Sequence, residues 1–181
     1  MPGTELNILD SILGAYGPTV MYPSKFFVSW NTVVTLAFSG FSASLLRMKS
    51  EIEQRVPVLQ QENPGSKWPK TTLGCLMDKE QLTPDEVDAL RDICAEHSSS
   101  LENSKITISR LSLVFFQYRT LEKRLLTHNF ELQGEQLEND NPPSWHLQQV
   151  AEVMAQFSQK RRTGNKNQSD TNDFSAGIVL Q

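Results

Sequence analysis

The sequence predicts an α+β fold in which a small mixed or antiparallel sheet carries helices on one face, a ferredoxin-like arrangement. Two observations predict it. Extended segments rich in β-branched and aromatic residues alternate with amphipathic helical segments over residues 26–98. Two further extended segments, within 106–132, follow each other with no helix between them, which calls for antiparallel closure. The full order is β-α-β-α-β-β-α.

Composition supports one packed domain: 38% of the 181 residues are hydrophobic and 21% charged. The expected organisation is a loose leader over 1–24, a single α+β domain over 25–160 and a disordered tail over 161–181. Gly14, Gly17, Pro18 and Pro23 leave the leader room for one short helix. A formal net charge of −4 excludes bulk attraction to nucleic acid or anionic lipid, while a local basic cleft stays open. The longest apolar run, 33–41, falls well short of the ~20 residues that cross a bilayer. No basic targeting region precedes it. An intracellular, cytoplasmic or nuclear protein without a membrane partner is expected. Two cysteines, Cys75 and Cys94, are too few for a disulfide framework or a four-cysteine zinc site. Both fall at apolar positions and read as buried small hydrophobes.

The elements follow in order. Residues 26–30 and 33–38 read as strands, and Gly40 marks the exit. Leu45, Met48, Ile52 and Val56 share one face of a helix over 43–56, which Pro57 ends. Asn63-Pro64-Gly65 is a turn signature in a polar loop over 60–69. Residues 70–76 form the next strand; their alternation is imperfect, so both of its faces are expected to be covered. The following helix has the clearest start. Thr83 caps it, Pro84 suits the first position, Glu86 returns a bond to the cap and Leu82 staples against Val87. Val87, Leu90 and Cys94 line its buried face, with Ile93 beside them.

Ser98-Ser99-Ser100 closes that helix. Residues 106–116 are strand-like, but their apolar phase slips between Ile108 and Leu111, which predicts a bulge or register break. Residues 119–132 fit two periods. Leu121, Leu125 and Leu126 suit a helix, whereas Leu126, His128, Phe130 and Leu132 alternate as in a strand. The second half is read as a strand paired with 106–116. After an acidic, proline-ended loop, Ser144 is expected to cap a helix bearing Leu147, Val150, Ala151, Met154 and Phe157. Lys160-Arg161-Arg162 complement its negative end. Beyond 163 the chain is polar, and only Ile178-Val179-Leu180 are apolar enough to dock.

Chemistry is sparse. No phosphate-binding loop, dinucleotide fingerprint or zinc motif is present, and Ser39-Gly40-Phe41-Ser42 lacks the glycines of a phosphate cradle. His97, His128 and His146 are far apart in sequence, and none has a ligand-spaced partner. No cofactor is implied. Trp68 reads as a packed lid on the sheet end and Trp145 as an anchor in the first turn of the last helix. Lys67, Lys70 and Thr72 concentrate positive charge and hydroxyl around the second strand, a candidate anion site that Arg110 or Arg119 could join. Lys70 also fits the role of an edge-strand lysine that discourages sheet-to-sheet association.

Lys70-Thr71-Thr72-Leu73, with the helix start Leu82-Thr83-Pro84-Asp85-Glu86-Val87, carries a partial resemblance. Over about 70 residues the chain resembles the first half of the two-histidine, LigT-like phosphoesterases, whose strand reads His-x-Thr-Leu. That resemblance implies a LigT-like lobe, with position 70 taking the place of a catalytic histidine and Thr72 that of the phosphate-holding hydroxyl. It also implies a second His-x-Thr strand, for which His128-Asn129-Phe130 is the nearest candidate. Lysine at 70 and phenylalanine at 130 depart from the pattern. A lysine titrating near ~10.4 holds phosphate as a point charge but is a poor base at neutral pH. The expectation is therefore a non-enzymatic interaction protein, a degenerate relative of that family with a protein partner. The alternatives are a module binding RNA or nucleotide phosphate, and a subunit that docks through its C-terminal helix.

Overall fold

The computed structural model describes residues 3–28, 33–59, 68–76, 80–117, 123–159 and 175–180. It is an α+β fold of small antiparallel sheets. Helix α1 (Gly3–Gly14) opens the chain and presents Leu9, Ile12 and Leu13 to the core, all essentially inaccessible to solvent. β1 (Thr19–Met21) and β2 (Pro23–Val28) follow, separated only by Tyr22. Next come β3 (Val34–Phe38), α2 (Ala43–Arg55), β4 (Lys70–Gly74) and α3 (Pro84–Ser98). A single 3-10 turn (Ser99–Leu101) leads to β5 (Ile106–Ile108) and β6 (Arg110–Phe116), which only Ser109 separates. β7 (Arg124–Glu131), α4 (Ser144–Gln159) and β8 (Ser175–Leu180) complete the order.

Three ladders result: β1 with β5, β2-β3-β4, and β7-β6-β8. Tyr22 and Ser109 are the corners. At each the chain leaves the β1–β5 pair and enters a three-stranded sheet. The corner at Ser109 is the predicted phase slip between Ile108 and Leu111: Ile108 pairs with Thr19, while Leu111 pairs with Phe130. The ambiguous segment is resolved as the strand β7, antiparallel to β6; residues 118–122 lie outside the described residues.

The main core joins α1 and α2 to Leu36 and Phe38 of β3 and to Leu111, Leu113 and Phe130 of the β6–β7 pair. The predicted face of α2, Leu45, Met48, Ile52 and Val56, is buried throughout. Alternation along β3 sends Ala37 to the opposite side, where Trp68, Val150 and Met154 form a second cluster flanked by Phe27 and Val153. Burying each such aliphatic side chain contributes roughly 1.5–3 kcal/mol.

Several expectations are corrected. Residues 1–24 are no loose leader. Gly17 and Gly134 let the backbones after α1 and β7 meet, Gly17 N donating to Glu135 O (3.2 Å) and Gly134 N to Tyr16 O (3.0 Å). A side chain at Gly17 would meet Glu135 and Gln136 backbone at about 2.5 Å, so sterics demand glycine there. The tail is a strand at 175–180, while 160–174 lie outside the described residues. Ser144 is the first helical residue rather than the cap, because the Pro143 carbonyl already accepts from His146 N (2.9 Å) and Leu147 N (3.0 Å). The buried face of α4 is His146, Val150 and Met154; Leu147 and Ala151 point outward, and the Phe157 side chain lies outside what is described. Trp145 is 60% exposed rather than a buried anchor, its ring centroid 5.3 Å from that of His146, and on α3 Ile93 is 52% exposed.

Candidate interaction edge at strand β4

The chain reaches β4 through Trp68 and Pro69. Trp68 is buried, its ring centroid 5.5 Å from that of Phe27, as expected of a lid on the sheet end. The Pro69 carbonyl accepts from Phe38 N at 3.1 Å and sets the register that follows. Lys70 then lies opposite Ala37, Thr71 opposite Leu36 and Thr72 opposite Thr35, before the register shifts and Gly74 faces Val34. The two-residue period of a strand puts Lys70 and Thr72 on one face. Of the predicted anion site, the structure therefore unites these two. Lys67 lies outside the described residues, as does Arg119. Arg110 belongs to the other three-stranded sheet, with its Nη1 3.9 Å from Glu131 Oε1.

Coverage of β4 is the opposite of that expected. All five of its residues are exposed, and Leu73 keeps 54% of its surface in water. Among the described residues β4 pairs with β3 alone, so it forms the rim of its sheet. Cys75, expected to be buried, is exposed just beyond it, whereas Cys94 is buried. The Lys70 ammonium sits 4.6 Å from the centroid of the Trp68 ring, a cation–π placement that lays the side chain back on the lid. Lysine at a rim is also a familiar guard against sheet-to-sheet association.

His128, the nearest equivalent of a second catalytic histidine, lies on β7, opposite Leu113. Lys70 and His128 thus stand in different sheets. The His128 ring is 4.7 Å edge-on from Phe130, and both His97 and His128 are exposed. Among the described residues no group of three His, Cys, Asp or Glu is placed to hold a metal ion. No described helix is long and apolar enough to cross a membrane.

Sequence reasoning missed a buried polar cluster at the start of α2. Thr19 Oγ1 donates to Asp140 Oδ2 and lies 2.5 Å from Ser42 Oγ. Asp140 Oδ1 accepts from Ser44 N at 2.8 Å, and Ser42 Oγ caps the helix by accepting from Leu45 N at 3.2 Å. A carboxylate at a helix N-terminus is favoured by the helix dipole and the free amides there. Ser42 directly precedes the helix predicted from residue 43, but its capping role emerges only from the structure; Asp140 arrives from almost a hundred residues away and carries no local signal. The cluster's bonds are directed inward, so it ties the loop before α4 to α2 rather than facing a ligand.

Beside it, His146 is buried and stacked on Phe41, with ring centroids 5.6 Å apart and planes 13° apart. Its Nδ1 lies 3.3 Å from Gln149 Oε1, and its Nε2 is buried with no hydrogen-bond partner. Burial pushes the imidazole below the ordinary histidine range; the Gln149 contact opposes this and nearby Lys49 adds to it. Elsewhere, a cleft of about 550 Å³ at the end of α3 is lined by Tyr22, Ser24, Ser98, Ser99, Glu102 and Ser104 among others. It holds hydroxyls but no cation.

No protein-family model, curated protein or solved structure matches this chain.

Proposed function

We propose that this chain is a non-catalytic protein that works through protein contacts, a degenerate relative of the two-histidine phosphoesterases with the rim strand β4 as its contact edge. One observation carries the reading: Lys70–Gly74 is a strand exposed along its whole length, with Leu73 turned to solvent at a sheet rim. An extended partner segment added there gains main-chain hydrogen bonds, and Leu73 supplies apolar contact. The separation of Lys70 and His128 onto different sheets argues in the same direction, because an acid and a base must reach one phosphate together.

The test has two arms. Purified protein should give no turnover of an RNA ending in a 2′,3′-cyclic phosphate; turnover that disappears in Lys70→Ala would sink the proposal. A photo-reactive leucine analogue at position 73 should crosslink a discrete protein partner. Thr71→Pro combined with Thr72→Pro, both before the register shift, removes two successive strand amides, one of which faces outward, and should abolish a crosslink placed instead at Cys75.

The shared face of Lys70 and Thr72 favours a second reading, a phosphate-binding module for RNA or nucleotide. It predicts nucleotide affinity that falls with salt and is lost in Lys70→Ala. Binding indifferent to both would remove it.

A further inference from the structure

β6 is the central strand of its sheet, and Leu111, Ser112, Leu113 and Val114 on it are all buried. β7, the next strand in sequence, holds one of its edges, with a register shift between Phe115 and Phe116. The chain's far end holds the other. Ser175–Leu180 runs antiparallel to β6 from Leu111 opposite Leu180 to Phe116 opposite Ser175, with no shift. This terminal segment, Ser-Ala-Gly-Ile-Val-Leu, is uncharged, and residues 160–174 before it contain Phe174 as their one large apolar residue.

Backbone pairing of this kind accepts any extended segment of compatible side chains, since the ladder bonds are made by main-chain groups. We propose that the β6 edge is a docking site for an extended segment of a partner protein, and that the chain's own tail occupies it in cis as a plug. The tail states the chemistry of the occupant: uncharged, small residues opposite Val114, Phe115 and Phe116, then β-branched residues and leucine opposite Leu111, Ser112 and Leu113. A charged segment would bring its charge beside a buried apolar strand. Attachment to the same chain favours the tail over any free segment, so the partner must compete for the edge. The β6 edge and the β4 rim are on different sheets, and this inference does not rest on the β4 reading.

The experiment uses the full chain and a labelled peptide of the sequence 175–181. Ile178→Pro with Val179→Pro in the protein removes two successive tail amides, one of which faces β6, and so opens the edge. Fluorescence anisotropy should show the peptide binding this variant and binding the wild-type chain about tenfold more weakly or worse, as expected when a plug fills the site nine-tenths of the time. A peptide carrying the same two prolines should bind neither. Equal affinity for both proteins, or no binding to a variant that keeps the wild-type circular dichroism, overturns the proposal. Loss of the fold in the variant overturns it as well, because a plug must be dispensable; hydrogen exchange at 111–116 in the wild-type chain, unchanged by excess peptide, would say the same. A concentration-dependent mass of two chains for the wild type would assign the edge to a second copy's tail and overturn its assignment to a partner.

Discussion

Asp140 joins three parts of the chain through one carboxylate: Thr19 after α1, Ser44 at the start of α2, and its own loop before α4. Removing it strands the buried Ser44 amide and leaves the Thr19 hydroxyl with Ser42 alone. Asp140→Ala should cost about 2–4 kcal/mol by urea denaturation. A loss below ~1 kcal/mol would mean the cluster is hydrated and marginal. His146 gives a pH dependence with a definite sign. Its folded-state pKa is depressed by burial, so protons bind the unfolded chain more readily. Above the unfolded value of 6.5 the imidazole is neutral in both states and its contribution is fully present. As the pH falls below that, stability is lost towards the lower folded value, at no more than about 1.4 kcal/mol per pH unit for one proton. His146→Phe, which keeps a ring against Phe41, should flatten the difference between urea midpoints at pH 5 and pH 7.5. An unchanged acid limb would assign it to another group.

At the scale of elements, α3 shows how far local chemistry reaches. Its capping box forms as the sequence predicts, Thr83 Oγ1 accepting from Glu86 N (3.3 Å) and Thr83 N donating to Glu86 Oε2 (2.8 Å). The bond from Thr83 N, followed by one that Thr83 Oγ1 donates to Glu86 Oε2 (2.9 Å), holds the Glu86 carboxyl below its ordinary range. Thr83→Ala should cost about 1 kcal/mol, read as a lowered urea midpoint. No change would mean that packing on β2, where Phe26 N donates to Ser98 Oγ at 2.9 Å, holds the helix alone. What local chemistry does not reveal is how much of α3 is covered: Cys94 is buried while Ile93 is not. The same blindness applies to β4. Its threonines and Leu73 suit a strand with either face covered, and only its place at the rim leaves it bare.

For the molecule as a whole, the N-terminal segment is the main surprise. Leu9, Ile12 and Leu13 sit in the principal core, and Tyr16 Oη donates to Glu51 Oε2 at 3.1 Å. Leu13→Ala should therefore cost about 3 kcal/mol, and deleting residues 1–17 should abolish cooperative thermal unfolding. A leader outside the core would leave the midpoint where it was. Much of the architecture was legible in advance: α2 with its buried face, the α3 boundary, the break at Ser109 and the pairing of β7 with β6. In each, period, capping residue or turn acts within a few residues, so the information is local. Three features were legible at most in part: the apolar character of Ile178-Val179-Leu180 allowed docking, but nothing told where. The burial of α1, the carboxylate reaching α2 from Asp140 and the docking of 175–180 on β6 each join segments far apart in the chain. Their worth comes from apolar area and polar groups that meet only once the rest has folded. The candidate edge divides in the same way. Strand character at Lys70–Gly74 follows from its residues, but its exposure, and the Lys70 ammonium lying over Trp68, depend on what the assembled sheet leaves uncovered.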